Sequence, residues 1–177
     1  NHNDNASQGL ARIGIEDSIS LKDYRDYKNK MEQADVDFEF HEFHDCVKNL
    51  RATKDPDEIE YMKKAQAITD KAWDFLCDYV KVGMSELQVQ RKLDEFMFDN
   101  GADGLAFDSI VAFGANAANP HAKPSDKILE KGEVALFDYG AKYHDYCSDM
   151  TRCMFAGSES EMPFEIAKAW ETLQEAS

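Results

Sequence analysis

Val134-Ala135-Leu136-Phe137-Asp138-Tyr139-Gly140, and a few residues later Asp145-Tyr146-Cys147-Ser148-Asp149-Met150-Thr151-Arg152, carry the reading of this chain. The first run is apolar and ends on a glycine, which predicts a strand over Val134 to Gly140. The second predicts a strand over Tyr146 to Phe155. Asp138 sits at the end of the first run, where a carboxylate is expensive to desolvate unless it is paired or metal-bound, and Asp149 repeats the situation. Two readings are open: acids near turns that make local hydrogen bonds, or carboxylates that converge on a cation. A hairpin with Asp138 directly opposite Asp149 requires Tyr143-His144 as a two-residue turn, or Lys142 to Asp145 as a four-residue one. Without a bulge the aspartates then share a face with Cβ atoms about 4.5–5.5 Å apart. Bare carboxylates so close repel, so the arrangement favours a cation between them.

Upstream, a third strand is expected around Phe107 to Phe113, and the loop after it, residues 114 to 126, is rich in Asn, Pro and Ala. In that loop Asn119-Pro120-His121-Ala122-Lys123-Pro124 places a histidine between two prolines that restrict the backbone. Histidine donates or accepts a proton near neutral pH, so over a metal site His121 can bind substrate and a tetrahedral intermediate. An ordinary surface histidine is the alternative.

Farther upstream the signals are local and sharp. Asp55 before Pro56, with Glu58 at the third position, forms an Asp version of the capping box and starts a helix. Ile59, Met62, Ala65, Ala72, Leu76 and Tyr79 fall on one face of it, and Gly83 supplies a stop. Ser85 and Gln88 open a second helix with Leu87, Leu93, Phe96 and Met97 inside and Asn100-Gly101 at its end. Pro163 begins a last helix with Ile166, Ala167, Trp170 and Leu173 on one side. Trp73 and Trp170 occupy helical core positions. Helices before and after a group of antiparallel strands give the α+β class.

The first fifty residues are patterned differently. Ala11 to Ile15 predicts a short strand, Leu21 to Ala34 a helix capped by Ser20, and Val36 to Phe40 a second strand. The stretch Leu50 to Pro56 reads as a connector, which divides the chain into residues 1–50 and 51–177. The first part is too slight for a core of its own and reads as the tail of a larger domain.

The chain has 177 residues with 43% apolar side chains, enough for a packed core, and a formal net charge of −15. Residues 1 to 50 hold 11 acidic and 6 basic side chains, so the acid is diffuse rather than a tail. A phosphate backbone would be repelled, which argues against a nucleic-acid partner. No apolar run long enough to span a bilayer occurs, and Asn1 to Asn5 have neither the basic start nor the apolar stretch of a signal peptide. Cys46, Cys77, Cys147 and Cys153 form no CxxC pair, so reduced thiols and a cytoplasmic location are expected, with Cys147 and Cys153 buried. His41-x-x-His44-x-Cys46 imitates a zinc cluster but lacks a second ligand pair.

In order and spacing these stretches resemble the creatinase and aminopeptidase superfamily, the pita-bread metallopeptidases of M24 type, and within it the Xaa-Pro aminopeptidase and prolidase branch. The matching residues are Asn49 to Ile59, Gly101 to Gly114, Asn119-Pro120-His121-Ala122, Phe137-Asp138-Tyr139-Gly140-Ala141 and Tyr146 to Arg152. The resemblance implies the first half of a pita-bread catalytic domain over residues 51–177, preceded by the remnant of an N-terminal α/β domain. It implies metal roles for Asp138 and Asp149 and a transition-state role for His121. Two divalent ions are implied, manganese first, with cobalt or zinc as alternatives. Two such ions about 3.5–4 Å apart activate water for attack on a peptide carbonyl. The implied activity is release of an N-terminal residue, in the expected case one that precedes proline; a homodimer is an expectation from the resemblance alone. In the family a histidine and two glutamates complete the ligand set, and nothing after Phe155 supplies them, so the chain by itself is expected to be inactive. The turn Tyr143-His144-Asp145 stands where the family often has a glycine. Two rival readings remain on the same fold: creatinase-like chemistry that uses the histidine without metals, and a non-catalytic binding module. Retention of both aspartates argues against each.

Overall fold

The computed structural model describes residues 10 to 176, apart from the side chains of Cys46 and of residues 173 to 176. Asn1 to Asn5 and the Leu173 side chain therefore lie outside the described residues. The chain divides into two compact units at Lys54 and Asp55.

In the first unit β1 (Ala11–Glu16) and β2 (Phe38–Phe43) pair in parallel, with Ile13 beside Phe40 and Ile15 beside Glu42. A parallel pair needs a crossover, and α1 (Leu21–Gln33) supplies it. Ser20 caps that helix as expected, its hydroxyl accepting the Asp23 N–H at 3.1 Å. β2 begins two residues later than Val36, because Asp35 takes a left-handed conformation (φ 53°) that closes α1 before the chain can extend. The unit ends in α2 (Cys46–Ala52), a helix the sequence reading did not anticipate. Leu50, Arg51 and Ala52 thus belong to a helix, and only Thr53 and Lys54 are left to connect it to Asp55.

The second unit opens with α3 (Pro56–Tyr79). Asp55 accepts from the Glu58 N–H while the Glu58 carboxylate accepts from the Asp55 N–H at 2.7 Å, so both halves of the capping box are present. Gly83 (φ 95°) makes the turn into α4 (Glu86–Asp99), which Ser85 caps by accepting from the Gln88 N–H. Then come β3 (Gly104–Leu105), β4 (Ile110–Phe113), a 3-10 turn at Gly114–Ala118, β5 (Val134–Tyr139), β6 (Ala141–Tyr143), β7 (Tyr146–Cys147), β8 (Met150–Phe155) and α5 (Phe164–Ala176). The strands form two antiparallel three-stranded sheets, ordered β4-β5-β8 and β3-β6-β7. This mixture of helices and antiparallel strands is the α+β class.

One face of the β4-β5-β8 sheet carries the core. Val111, Phe113, Ala135, Phe137 and Tyr139 are fully buried with Ala72 and Leu76 of α3 and Val89, Leu93 and Met97 of α4. Trp73 meets Phe137 edge-on at 6.2 Å. Ile59 and Met62, expected on the buried face of α3, are 42% and 39% exposed. The first turns of this 24-residue helix pack on the β3-β6-β7 sheet through Tyr61, whose ring meets Tyr143, His144 and Tyr146, while Ile59 and Met62 border an open groove beside Cys147 and Asp149. Among the described residues no helix is long and apolar enough to cross a membrane.

Candidate functional site

β5 and β8 form the hairpin expected from the sequence, but in a register shifted by two residues. Asp138 faces Thr151, not Asp149, and the pairing continues beyond as Lys142 with Cys147 and Tyr143 with Tyr146. The turn explains the shift. Two-residue hairpin loops of the favoured hand need positive φ at both central residues, and these are His144 (φ 48°) and Asp145 (φ 67°). Asp and His tolerate that conformation far better than the bulky Tyr143, which the expected turn would have forced into it. Lys142 adds an ion pair to Asp145 at 2.8 Å.

A two-residue slip preserves parity, so the aspartates still share a face. Ser148 and Met150 are buried, whereas Asp149 and Thr151 between and beyond them are exposed. Asp138 and Asp149 are consequently diagonal neighbours, for which separations of about 7–8 Å are usual, instead of a directly opposed pair. Asp138 Oδ1 accepts the Thr151 hydroxyl at 2.9 Å. The Asp149 carboxylate has no hydrogen-bond or ion-pair partner among the described residues; it lines an open groove with Ile59, Met62, Lys63 and Gln66.

Between the aspartates the ladder breaks. Gly140 lies so close to the opposite strand that a Cβ there would fall 1.9 Å from the Ser148 carbonyl oxygen. The Ala141 N–H is directed to the hydroxyls of Thr69 (3.2 Å) and Ser148 (3.0 Å), and these two lie 2.6 Å apart. Thr69 belongs to α3, so a buried pair of hydroxyls fixes the chain next to Asp149 to the helix beneath it. Burial pushes the Tyr139 phenol well above its ordinary range, and its hydroxyl donates to the Thr69 carbonyl.

His121 is exposed in the loop between β4 and β5. Its N–H donates to Asn119 Oδ1 at 3.0 Å, and its imidazole has no hydrogen-bond partner among the described residues. β4 meets β5 with Ile110 opposite Asp138 and Phe113 opposite Ala135, so the loop leaves from the end of the pair away from Asp138. Strand pairing brings the two aspartates together; it does not itself bring His121 to them.

The sequence reading missed Glu86. It is 0% exposed at the start of α4 and accepts four hydrogen bonds: Oε1 from the Phe113 N–H (2.8 Å) and Asn116 Nδ2 (3.0 Å), Oε2 from the N–H (2.9 Å) and hydroxyl (2.6 Å) of Ser125. Its spacing with Val89, Leu93 and Met97 was the available signal, a carboxylate in phase with an apolar helical face.

The other candidates do not assemble. His44 Nδ1 lies 2.7 Å from Asp17 and His41 Nε2 3.3 Å from Glu39, so the two rings of the His41-x-x-His44 motif serve separate acids. Cys147 is exposed, contrary to expectation, because it lies beside Asp149 on the hairpin's outer edge; Cys153 is half-buried, and burial raises its thiol pKa. Asp138 and Asp149 suit a hard divalent ion in kind, each with a carboxylate oxygen not engaged by any of the described residues. They make only part of a ligand set, since no group of three or more His, Cys, Asp or Glu able to hold a metal occurs among the described residues.

Comparison with known proteins identifies the setting. The model of metallopeptidase family M24 matches residues 60–177. The Xaa-Pro dipeptidase of Pyrococcus furiosus is 39% identical over 154 residues, covering 87% of this chain and 43% of the relative. The crystal structure of X-Pro aminopeptidase from Thermotoga maritima superposes with a TM-score of 0.82 at 35% identity, covering 94% of this chain and 46% of that one. The Xaa-Pro dipeptidase from Bacillus anthracis gives 0.83 at 32% identity, with 94% and 45% covered. The chain thus spans a little under half the length of these relatives, and its antiparallel sheets and helices are part of a pita-bread domain. With the family model covering both aspartates, the loop histidine and the buried core that carries them, this chain belongs to metallopeptidase family M24.

Proposed function

We propose that the complete protein is a metal-dependent peptidase that releases an N-terminal residue preceding proline, and that Asp138 and Asp149 contribute to its metal centre. One observation carries this: two carboxylates, diagonal on one sheet face, have oxygens without partners among the described residues, and the hydroxyl clamp at Thr69 and Ser148 holds the backbone beside one of them. When bound, a pair of divalent ions, manganese in our reading, would supply water activated for attack and polarise the scissile carbonyl. Asp138, oriented by the Thr151 hydroxyl, and Asp149, open to the groove, would hold such ions as hard oxygen ligands. His121, with an unengaged imidazole, meets the substrate and donates a hydrogen bond as charge develops on the carbonyl oxygen. Residues 55–177 are proposed as the first half of the catalytic domain and the unit before them as the end of a preceding domain.

The names of the relatives support the Xaa-Pro assignment, and both aspartates argue against a metal-free or purely binding role. Manganese-dependent cleavage of an Xaa-Pro peptide by the complete protein, lost in Asp138→Asn and in Asp149→Asn with folding intact, is the expected result. Full activity in both variants would sink the assignment. The 177-residue chain alone is expected to show no turnover, because two carboxylates are too few to hold two ions.

A further inference from the structure

Among the described residues Glu86 is unlike the other acids. It is a carboxylate with no exposed surface, it heads a helix whose remaining inward residues are apolar, and all four of its partners are donors. Its two oxygens also divide their partners by place. Oε1 takes the end of β4 and Asn116 on the outgoing leg of the loop that carries His121; Oε2 takes Ser125 on the returning leg.

We propose that Glu86 is the positioning residue of the His121 loop, holding both of its legs with one buried carboxylate so that the imidazole is presented in a fixed place. This rests on the reading of His121 as a substrate-contacting residue. The loop has no strand ladder of its own between Ala118 and Ser125. Its returning leg is stitched to the first turn of α4 by Glu86 N–H to Lys127 O and Leu87 N–H to Ser125 O, each 3.0 Å. Nearer the tip, the Asn119 side chain and carbonyl accept from the N–H groups of His121 and Ala122, and Ala122 is buried. The tip is therefore locally shaped, but its outgoing leg depends on the Glu86 carboxylate for the Asn116 side chain and for the N–H of Phe113. Carboxylate is the required chemistry: an amide of the same shape offers an acceptor to one leg and turns a donor toward the donors of the other.

The test compares Glu86→Gln with the unaltered 177-residue chain by amide hydrogen exchange. The expected result is exchange about tenfold faster through residues 113–125 while α3 and β5 keep their protection, as for a local opening. Unchanged exchange in the loop overturns the proposal, and so does equal acceleration across α3, α4 and β5, which would make Glu86 an ordinary core acid. In the complete protein, Glu86→Gln is expected to lower kcat more than it changes KM for an Xaa-Pro peptide, and to add nothing in a His121→Ala background. Additive losses in the double variant count against the proposal. If His121→Ala leaves kcat intact while the loop exchange rises in Glu86→Gln, it is the assigned role of His121 that fails, and the kinetic part of the proposal with it.

Discussion

The two units use the same local chemistry and reach different degrees of burial. Ser20 caps α1 as Ser85 caps α4, and both units place strands beside helices. Yet α1 has no buried residue, and Ile15 is the one buried apolar residue from Leu10 to Lys54 among those described. Leu21, Tyr27, Phe43, Val47 and Leu50 there are each close to half exposed or more. In the second unit α3 and α4 lay continuous apolar faces on a three-stranded sheet, and Leu76, Leu93, Met97, Phe113 and Phe137 lose all exposure. Caps and turns decide where an element starts, but stability follows from having a second layer to bury against. A two-stranded parallel sheet with one crossover helix has too little of one.

The sharpest way to break this contrast is to remove a large side chain from each unit. Phe137→Ala is expected to cost about 3–5 kcal/mol in urea-induced unfolding, since Phe137 is fully enclosed between Trp73 and Phe113. Ile15→Ala should move the main transition much less, because its thinner surroundings can collapse onto the gap. Equal losses would mean that the first unit is as tightly bound into the cooperative core as the second.

A smaller effect separates caps that precede a packed helix from caps that do not. Asp55→Ala removes a complete capping box from α3 and is expected to lower global stability by about 1 kcal/mol. Ser20→Ala should register in hydrogen exchange of α1 while leaving the global transition nearly unmoved. A global loss from Ser20→Ala as large as that from Asp55→Ala would place α1 within the cooperative unit.

The smallest effect lies inside the core unit and is read against pH. Burial raises the Asp94 carboxyl above its ordinary value of 3.8, against the opposing pull of the Ser109 hydroxyl donating at 2.6 Å. A raised folded-state pKa contributes stability that is fully present below pH 3.8 and is lost as pH rises through the folded value. Asp94→Asn retains an acceptor for Ser109 and should flatten that part of the stability profile. An identical acid limb in the variant would remove Asp94 from the account.

The sequence by itself determined what depends on neighbours along the chain. The Asp55-Pro56-Glu58 box, the Ser20 and Ser85 caps, the apolar run from Val134 to Gly140 and the family likeness were all legible, because each is written in residues a few positions apart. The face shared by Asp138 and Asp149 was legible too, since parity survives a two-residue slip. Their pairing was not, because the left-handed conformation available to His144 and Asp145 outweighed the appeal of opposing the two acids. Nor could the sequence say that Ile59 and Met62 would border an open groove and not the core, which depends on where distant strands place their layers. Glu86 shows the limit most clearly. In the sequence it is one acid among 35, and only the fold, by bringing Phe113, Asn116 and Ser125 around it, turns it into a buried acceptor of four hydrogen bonds. A buried carboxylate is tolerated where its partners converge, and convergence over 27 to 39 residues of chain is a tertiary property.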